Sequence, residues 1–193
     1  MFESRLTECL SEPKVYDLRA KEVERVQELL APRTWLMSHD EMRVMNWCET
    51  CRGRNMTPGQ LLADNVRRCA ELIHKVRPDA TIAVWSDMFD PLHNVRENYY
   101  FVNGPLRGSA NGLSKDVLIV NWNHQATKQS VAWFAARGHP QVIAGYYDRD
   151  LRDERRWVES VRDLPGVEGV MFTTWKRDFT NLEKFALFAW GRQ

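Results

Sequence analysis

The stretch that decides the fold runs from Thr57-Pro58-Gly59-Gln60, through Leu62, Val66, Cys69, Ile73 and Val76, to Thr81-Ile82-Ala83-Val84-Trp85. A Thr, a Pro at the first helical position and a Gln three residues after the cap form a capping box. There the hydroxyl and the amide satisfy backbone N–H groups that the helix start leaves unpaired. The apolar residues behind it recur at steps of four and three, the stripe of a helix packed on a sheet, and Pro78 lies just beyond the stop. The apolar run that follows reads as a strand buried on both faces, the kind found in parallel sheets.

The same alternation continues in both directions. Apolar runs at Thr34-Trp35-Leu36-Met37, Val117-Leu118-Ile119-Val120, Gln141-Val142-Ile143-Ala144 and Val167 to Phe172 predict four more strands. Helices are predicted from a cap at Asp17 to about Leu30, from Ser130 to Gly138, and from an Asp among residues 148 to 153 to before Pro165-Gly166. The last opens at Thr180-Asn181-Leu182-Glu183, a second capping box. A helix followed by five strand–helix units calls for an α/β fold: a parallel sheet covered by helices, either doubly wound or part of a barrel. The one long irregular stretch, Asp90 to Lys115, holds Asn103-Gly104-Pro105 and Arg107-Gly108-Ser109 and at that length reads as a functional loop.

Composition narrows the function. The chain has 193 residues, 44% hydrophobic and 27% charged, which suits one globular domain. Its 27 Lys+Arg against 26 Asp+Glu give a net charge of +1, so the basic footprint of a nucleic-acid binder is missing. No apolar run approaches the roughly 20 residues of a membrane span, and the first residues lack the pattern of a signal peptide; the compartment is left open. Four cysteines are too few for a disulfide scaffold. Cys48-Glu49-Thr50-Cys51 has the spacing of half a zinc site, but a tetrahedral site needs two more ligands, so core or loop thiols are expected and no cofactor is assigned.

In parallel α/β folds the working residues gather beyond the carboxyl ends of the strands. Those ends carry Ser38-His39-Asp40-Glu41, Trp85-Ser86-Asp87, Asn121-Trp122-Asn123-His124, Tyr146-Tyr147-Asp148 and Thr173-Thr174-Trp175. Carboxylates, amides and aromatic rings at five strand ends describe one pocket. Aromatic walls with Asn and Asp between them suit a sugar, whose apolar face stacks on a ring while its hydroxyls take polar partners. Asp40-Glu41 is the sharpest local signal, because adjacent carboxylates hold one another's pKa apart and so divide acid and anion roles, as glycosidic cleavage requires.

The strand-end series resembles the C-terminal part of the catalytic barrel of family 20 glycoside hydrolases, the β-N-acetylhexosaminidases. Their fourth strand ends in His-x-Gly-x-Asp-Glu, and the aligned stretch here is Leu36-Met37-Ser38-His39-Asp40-Glu41, which keeps Asp-Glu and has Leu36 in place of the leading His and Ser38 and His39 in place of the usual glycines. Val84-Trp85-Ser86-Asp87 falls where the family has a Trp near the fifth strand, and Asn121-Trp122 is similar to its sixth strand end. Tyr146-Tyr147-Asp148 is similar to its Tyr-x-Asp, and Thr174-Trp175 to its Trp-x-Glu, with the Glu missing and Lys176 offered instead. The resemblance spans roughly Glu12 to the end. It implies a (β/α)8 barrel in which Glu41 protonates the leaving oxygen and Asp40 orients the 2-acetamido group of a β-linked sugar, the substrate itself serving as nucleophile. Trp85, Asp87, Asn121, Trp122, Tyr146, Tyr147, Asp148 and Trp175 would then bind the sugar.

Eight strand–helix units take about 250 residues, so five leave a barrel without its first three strands. The expectation is a single domain over 1–193 after an irregular lead-in at 1–11, forming the C-terminal portion of a glycosidase-like barrel. The missing part of that barrel or a second copy of the chain would be its partner, and an open five-stranded sheet is the alternative. Two other functions compete. One is a metal-dependent hydrolase built on His39, Asp40, Asp87, Asp90, His93, His124 and Asp148, although no His-x-His or His-Glu-x-x-His spacing supports it. The other is a relative that binds a glycan without cleaving it.

Overall fold

A computed structural model of the chain describes residues 7–145, 148 and 150–190. In chain order its elements are α1 (Pro13–Leu30), β1 (Thr34–Leu36), β2 (Val44–Met45), α2 (Glu49–Arg52), α3 (Pro58–Val76), β3 (Thr81–Trp85), β4 (Phe101–Val102), β5 (Leu118–Asn121), α4 (Thr127–Ala136), β6 (Gln141–Ala144), α5 (Leu151–Val161), β7 (Val167–Met171) and α6 (Leu182–Trp190). The fold is α/β, as the alternation of patterns predicts.

Five strands form one sheet in the order β1-β3-β5-β6-β7, every pair parallel. The order follows the chain without reversal, whereas a doubly wound sheet reverses at a switch point. The helices accordingly share one face, with α1 against α3 and α4 against α5. This arrangement is compatible with an open sheet and with a length of barrel wall.

The two faces of the sheet are filled differently. On the helical side Trp35, Ile82, Val84 and Ile119 meet the α3 stripe of Leu62, Val66 and Ile73, and Ile143 meets Val131, Trp157 and Val161. Each such buried aliphatic side chain contributes about 1.5–3 kcal/mol. The other face carries Ala83, Val120 and Ala144, with Trp85, Leu118 and Met171 packed on them. Leu36, in register with Ala83, is 44% exposed there. None of the described helices is long and apolar enough to cross a membrane.

The capping box at Thr57 forms as read: the Thr57 hydroxyl accepts the Gln60 N–H at 3.2 Å and the Gln60 amide oxygen accepts the Thr57 N–H at 2.9 Å. Three other helix starts differ from expectation. α1 opens at Pro13 with Glu12 as its cap, because Pro is already shaped for the first helical position, and Asp17 lies inside the helix. α4 opens at Thr127 rather than Ser130, since the Thr127 hydroxyl donates to Asn123 O and the Asn123 side chain accepts the Ala126 N–H, while the Ser130 hydroxyl donates to Asp90. At α6 the Thr180 hydroxyl bonds the Asp178 carboxylate at 2.6 Å, which takes it away from a capping box.

The stretch from Asp90 to Lys115 is more ordered than a loop. It contains β4, which pairs with β2 in a parallel two-stranded sheet, Val44 against Phe101 and Met45 against Val102. A 3-10 turn at Ser109–Gly112 packs on α3. That approach depends on two glycines: a Cβ on Gly59 would lie 2.2 Å from the Arg107 carbonyl oxygen, and one on Gly112 would lie 2.1 Å from that of Ala63.

Candidate functional site

The segment leaving β1 makes an unusual turn. Ser38, His39 and Glu41 all have left-handed backbone, with φ of 61°, 63° and 45°, a conformation that costs a non-glycine residue roughly 1–2 kcal/mol. Such strain persists only where the surroundings fix it. The Ser38 carbonyl accepts the Trp85 N–H at 3.1 Å, tying the turn to β3. The His39 ring is enclosed, with Nε2 2.9 Å from the Asn65 amide oxygen on α3 and Nδ1 3.0 Å from the Met37 carbonyl oxygen. The chain of contacts continues from the Asn65 amide to the Tyr16 hydroxyl and from that hydroxyl to Leu10 O. Burial holds the His39 pKa below its ordinary value.

Asp87, at the end of β3, is the hub. Its carboxylate is fully buried and accepts the Glu41 backbone N–H at 2.9 Å, the Asn94 amide at 2.8 Å and the Trp122 indole N–H at 3.1 Å. Burial pushes its carboxyl up to about 6 against those three donors, and the nearby charge of Asp40 adds to the rise. One side chain thus joins the ends of β1, β3 and β5. Around it stand Trp122, whose ring meets His93 edge-on at 4.3 Å, and Arg43, which pairs with the Glu41 carboxylate at 2.8 Å and lies 5.0 Å over the Tyr100 ring. Burial, together with the charges of Asp87 and Glu41, pushes the Tyr99 phenol up to about 12, so this ring faces the same cluster.

Asp40, Glu41, Asp87 and Trp122 therefore come together. Asp40 is half-buried and the Glu41 side chain is 42% exposed, so the pair is open to a ligand while its backbone is held from below. Both also border a cleft of about 740 Å³ that runs along β1 between α1 and α3. Trp85 is half-buried on the face of the sheet away from the helices.

The other predicted residues lie elsewhere. The Asn121 amide is buried toward the helices, donating to Ser130 Oγ at 2.9 Å and Gln141 Oε1 at 3.1 Å. Asp148 accepts the Thr174 hydroxyl and the N–H groups of Trp175 and Lys176, at 2.6 and 2.9 Å, which shapes the turn after β7. Trp175 is 73% exposed. Tyr146 and Tyr147 lie outside the described residues.

Sequence reasoning missed Tyr99 as a neighbour of the carboxylates; it lies in the long loop, whose functional reading is the only signal for it, whereas the pairing of Glu41 with Arg43, two residues on, and the place of Asn94 just after Asp87 are legible from the chain. Of the rival metal set, His39, Asp87, Asp90 and Asp148 are engaged in other bonds: Asp90, for example, accepts the Leu92 N–H, the Asn123 amide and the Ser130 hydroxyl, at 2.7, 2.9 and 2.7 Å. Among the described residues, the ligand-type side chains that gather closely are Cys9, Cys48 and Cys51. The chain matches no known family model and no curated protein sequence.

Proposed function

We propose that the chain is a glycoside hydrolase-like protein acting on a β-linked 2-acetamido sugar, with Glu41 as the general acid and Asp40 as the group that orients the acetamido. The observation that carries this reading is the Asp87 hub, which ties the Asp40–Glu41 turn and the Trp122 indole to one buried carboxylate at the carboxyl ends of a parallel sheet. The left-handed Ser38 supports it, because this is the position at which the resembled pattern has glycine.

In the proposed reaction the Glu41 carboxylic acid gives its proton to the leaving oxygen as the C1–O bond breaks. The acetamido carbonyl oxygen of the substrate attacks C1 in its place, and Asp40 accepts a hydrogen bond from the acetamido N–H, so positive charge is shared with a fixed anion. Water then opens the cyclic intermediate, returning a proton to Glu41. Trp122 and Trp85 offer stacking surfaces for the sugar ring. Because Arg43 pairs with Glu41, the bound sugar has to separate them before the proton can be delivered.

The test is a pair of variants read by two methods. Glu41→Gln is expected to abolish hydrolysis of an aryl 2-acetamido-β-glycoside while calorimetry still detects the acetamido sugar; Asp40→Asn is expected to lower kcat more than it raises KM. Unchanged hydrolysis in Glu41→Gln removes Glu41 as the acid. Sugar binding without hydrolysis in the unaltered chain favours a glycan-binding relative.

A further inference from the structure

Cys48 and Cys51 sit in a C-x2-C segment, and the fold brings to them a third thiol that spacing alone does not reveal. Cys9 Sγ lies 3.3 Å from Cys48 Sγ and 3.5 Å from Cys51 Sγ, and all three sulfurs fall within 4.8 Å of one another. We propose that Cys9, Cys48 and Cys51 bind one thiophilic divalent ion of the zinc type, which fastens the segment before α1 to the β2–α2 connection.

The geometry suits such an ion. Tetrahedral zinc with Zn–S bonds of about 2.3 Å holds its sulfurs about 3.8 Å apart, a few tenths of an ångström wider than the two contacts measured here. Cys48 is the N-cap of α2, and its sulfur accepts the Cys51 backbone N–H at 3.4 Å, a donor placed to stabilise a thiolate. A fourth polar group is also present. Ser11 is 8% exposed, and its hydroxyl, which lies against the Cys51 thiol, has no hydrogen-bond partner of good geometry among the described residues. It can serve as the fourth ligand or hold a water there.

A cation held by the three mutually contacting sulfurs displaces each thiol proton as its sulfur–metal bond forms. Cys69, whose thiol is not part of the cluster, provides an internal control.

The Thr7 hydroxyl donates to Val44 O at 2.8 Å, so the N-terminal segment already lies along β2. The ion would strengthen this attachment close to the Asp40–Glu41 turn.

The experiment is metal analysis of the full chain, followed by Co2+ titration of the reduced, metal-free protein. The expected result is one equivalent of zinc as purified, and one equivalent of Co2+ giving the intense visible bands of a tetrahedral site and near-ultraviolet sulfur-to-cobalt charge transfer. Both signals should be lost in Cys9→Ser and in Cys48→Ser and kept in Cys69→Ser. Far-ultraviolet circular dichroism of each variant separates loss of the site from loss of the fold, and Ser11→Ala, which keeps all three sulfurs, should shift the visible bands without abolishing binding. Absence of binding by the folded reduced chain, binding that survives Cys9→Ser, or a disulfide within the triad in place of metal overturns the assignment.

Discussion

The Glu41 backbone N–H donates to the Asp87 carboxylate at 2.9 Å, so the acidic pair after β1 is held in position by a buried residue at the end of β3. The same carboxylate holds Asn94 and Trp122. Asp87→Ala leaves the buried Asn94 amide and the part-buried Glu41 N–H and Trp122 indole N–H without their acceptor. The buried donor alone is expected to destabilise the chain by about 1–3 kcal/mol, and the two part-buried donors, which water can partly satisfy, add to this. Asp87→Asn keeps one oxygen and should lose less. Urea denaturation of the two variants checks both magnitude and order.

Asp87 also makes stability depend on pH. Its folded value of about 6 lies above the ordinary 3.8, so the stabilisation it gives is complete below pH 3.8 and is lost as the pH rises through about 6. The span corresponds to about 3 kcal/mol. An NMR titration of the Asp87 carboxyl carbon should show a midpoint near 6, and Asp87→Asn should flatten the stability profile across that interval.

Glu154 lies in the first turn of α5, 4% exposed, and its Oε1 has no hydrogen-bond partner among the described residues. Burial pushes it up to about 8. The sign matches that of Asp87, with stability greatest below pH 4.5 and lost as pH rises through about 8. Glu154→Gln removes the ionisation and should stabilise the protein at a pH above about 8 by up to about 5 kcal/mol. Thermal melts at pH 5 and pH 9 test this; equal shifts at both would contradict it.

Ser38 has φ of 61°, and its exposed side chain makes no hydrogen bond among the described residues. Ser38→Gly should relieve the left-handed strain and raise stability by up to about 1 kcal/mol, because glycine's larger unfolded-state entropy offsets part of the gain. At Gly59 the direction reverses. Gly59→Ala sets a Cβ 2.2 Å from the Arg107 carbonyl oxygen and should destabilise the chain by about 1–3 kcal/mol. Chemical denaturation of the two variants should therefore give shifts of opposite sign.

These positions also show which parts of the structure were legible in the sequence. The α3 capping box and stripe lead directly to the observed helix, and the apolar runs lead to all five strands of the main sheet, because burial on a sheet imposes a pattern longer than any local exception. The two-residue strands β2 and β4 are too short to show periodicity, and their pairing spans more than fifty residues. Ser130 and Thr180 have the chemistry of helix caps, but Asp90 and Asp178 take their hydroxyls, a choice made by residues 40 positions away in one case and two in the other. At the site, Asp40, Glu41, Asp87 and Trp122 are readable from their place after strands. Asn121 has the same credentials, yet its direction follows strand pleat, which turns it toward Ser130 and Gln141. Cys9 as a neighbour of Cys48 and Cys51 is visible only in three dimensions.

The reaction proposed for Asp40 and Glu41 is open to direct test. The most direct measurement is 4-nitrophenol release from two aryl β-glycosides that differ only in the 2-acetamido group, with and without chelator. Release confined to the acetamido sugar and indifferent to chelation is the predicted result. Equal release from both sugars, or release from neither, contradicts the substrate-assisted account.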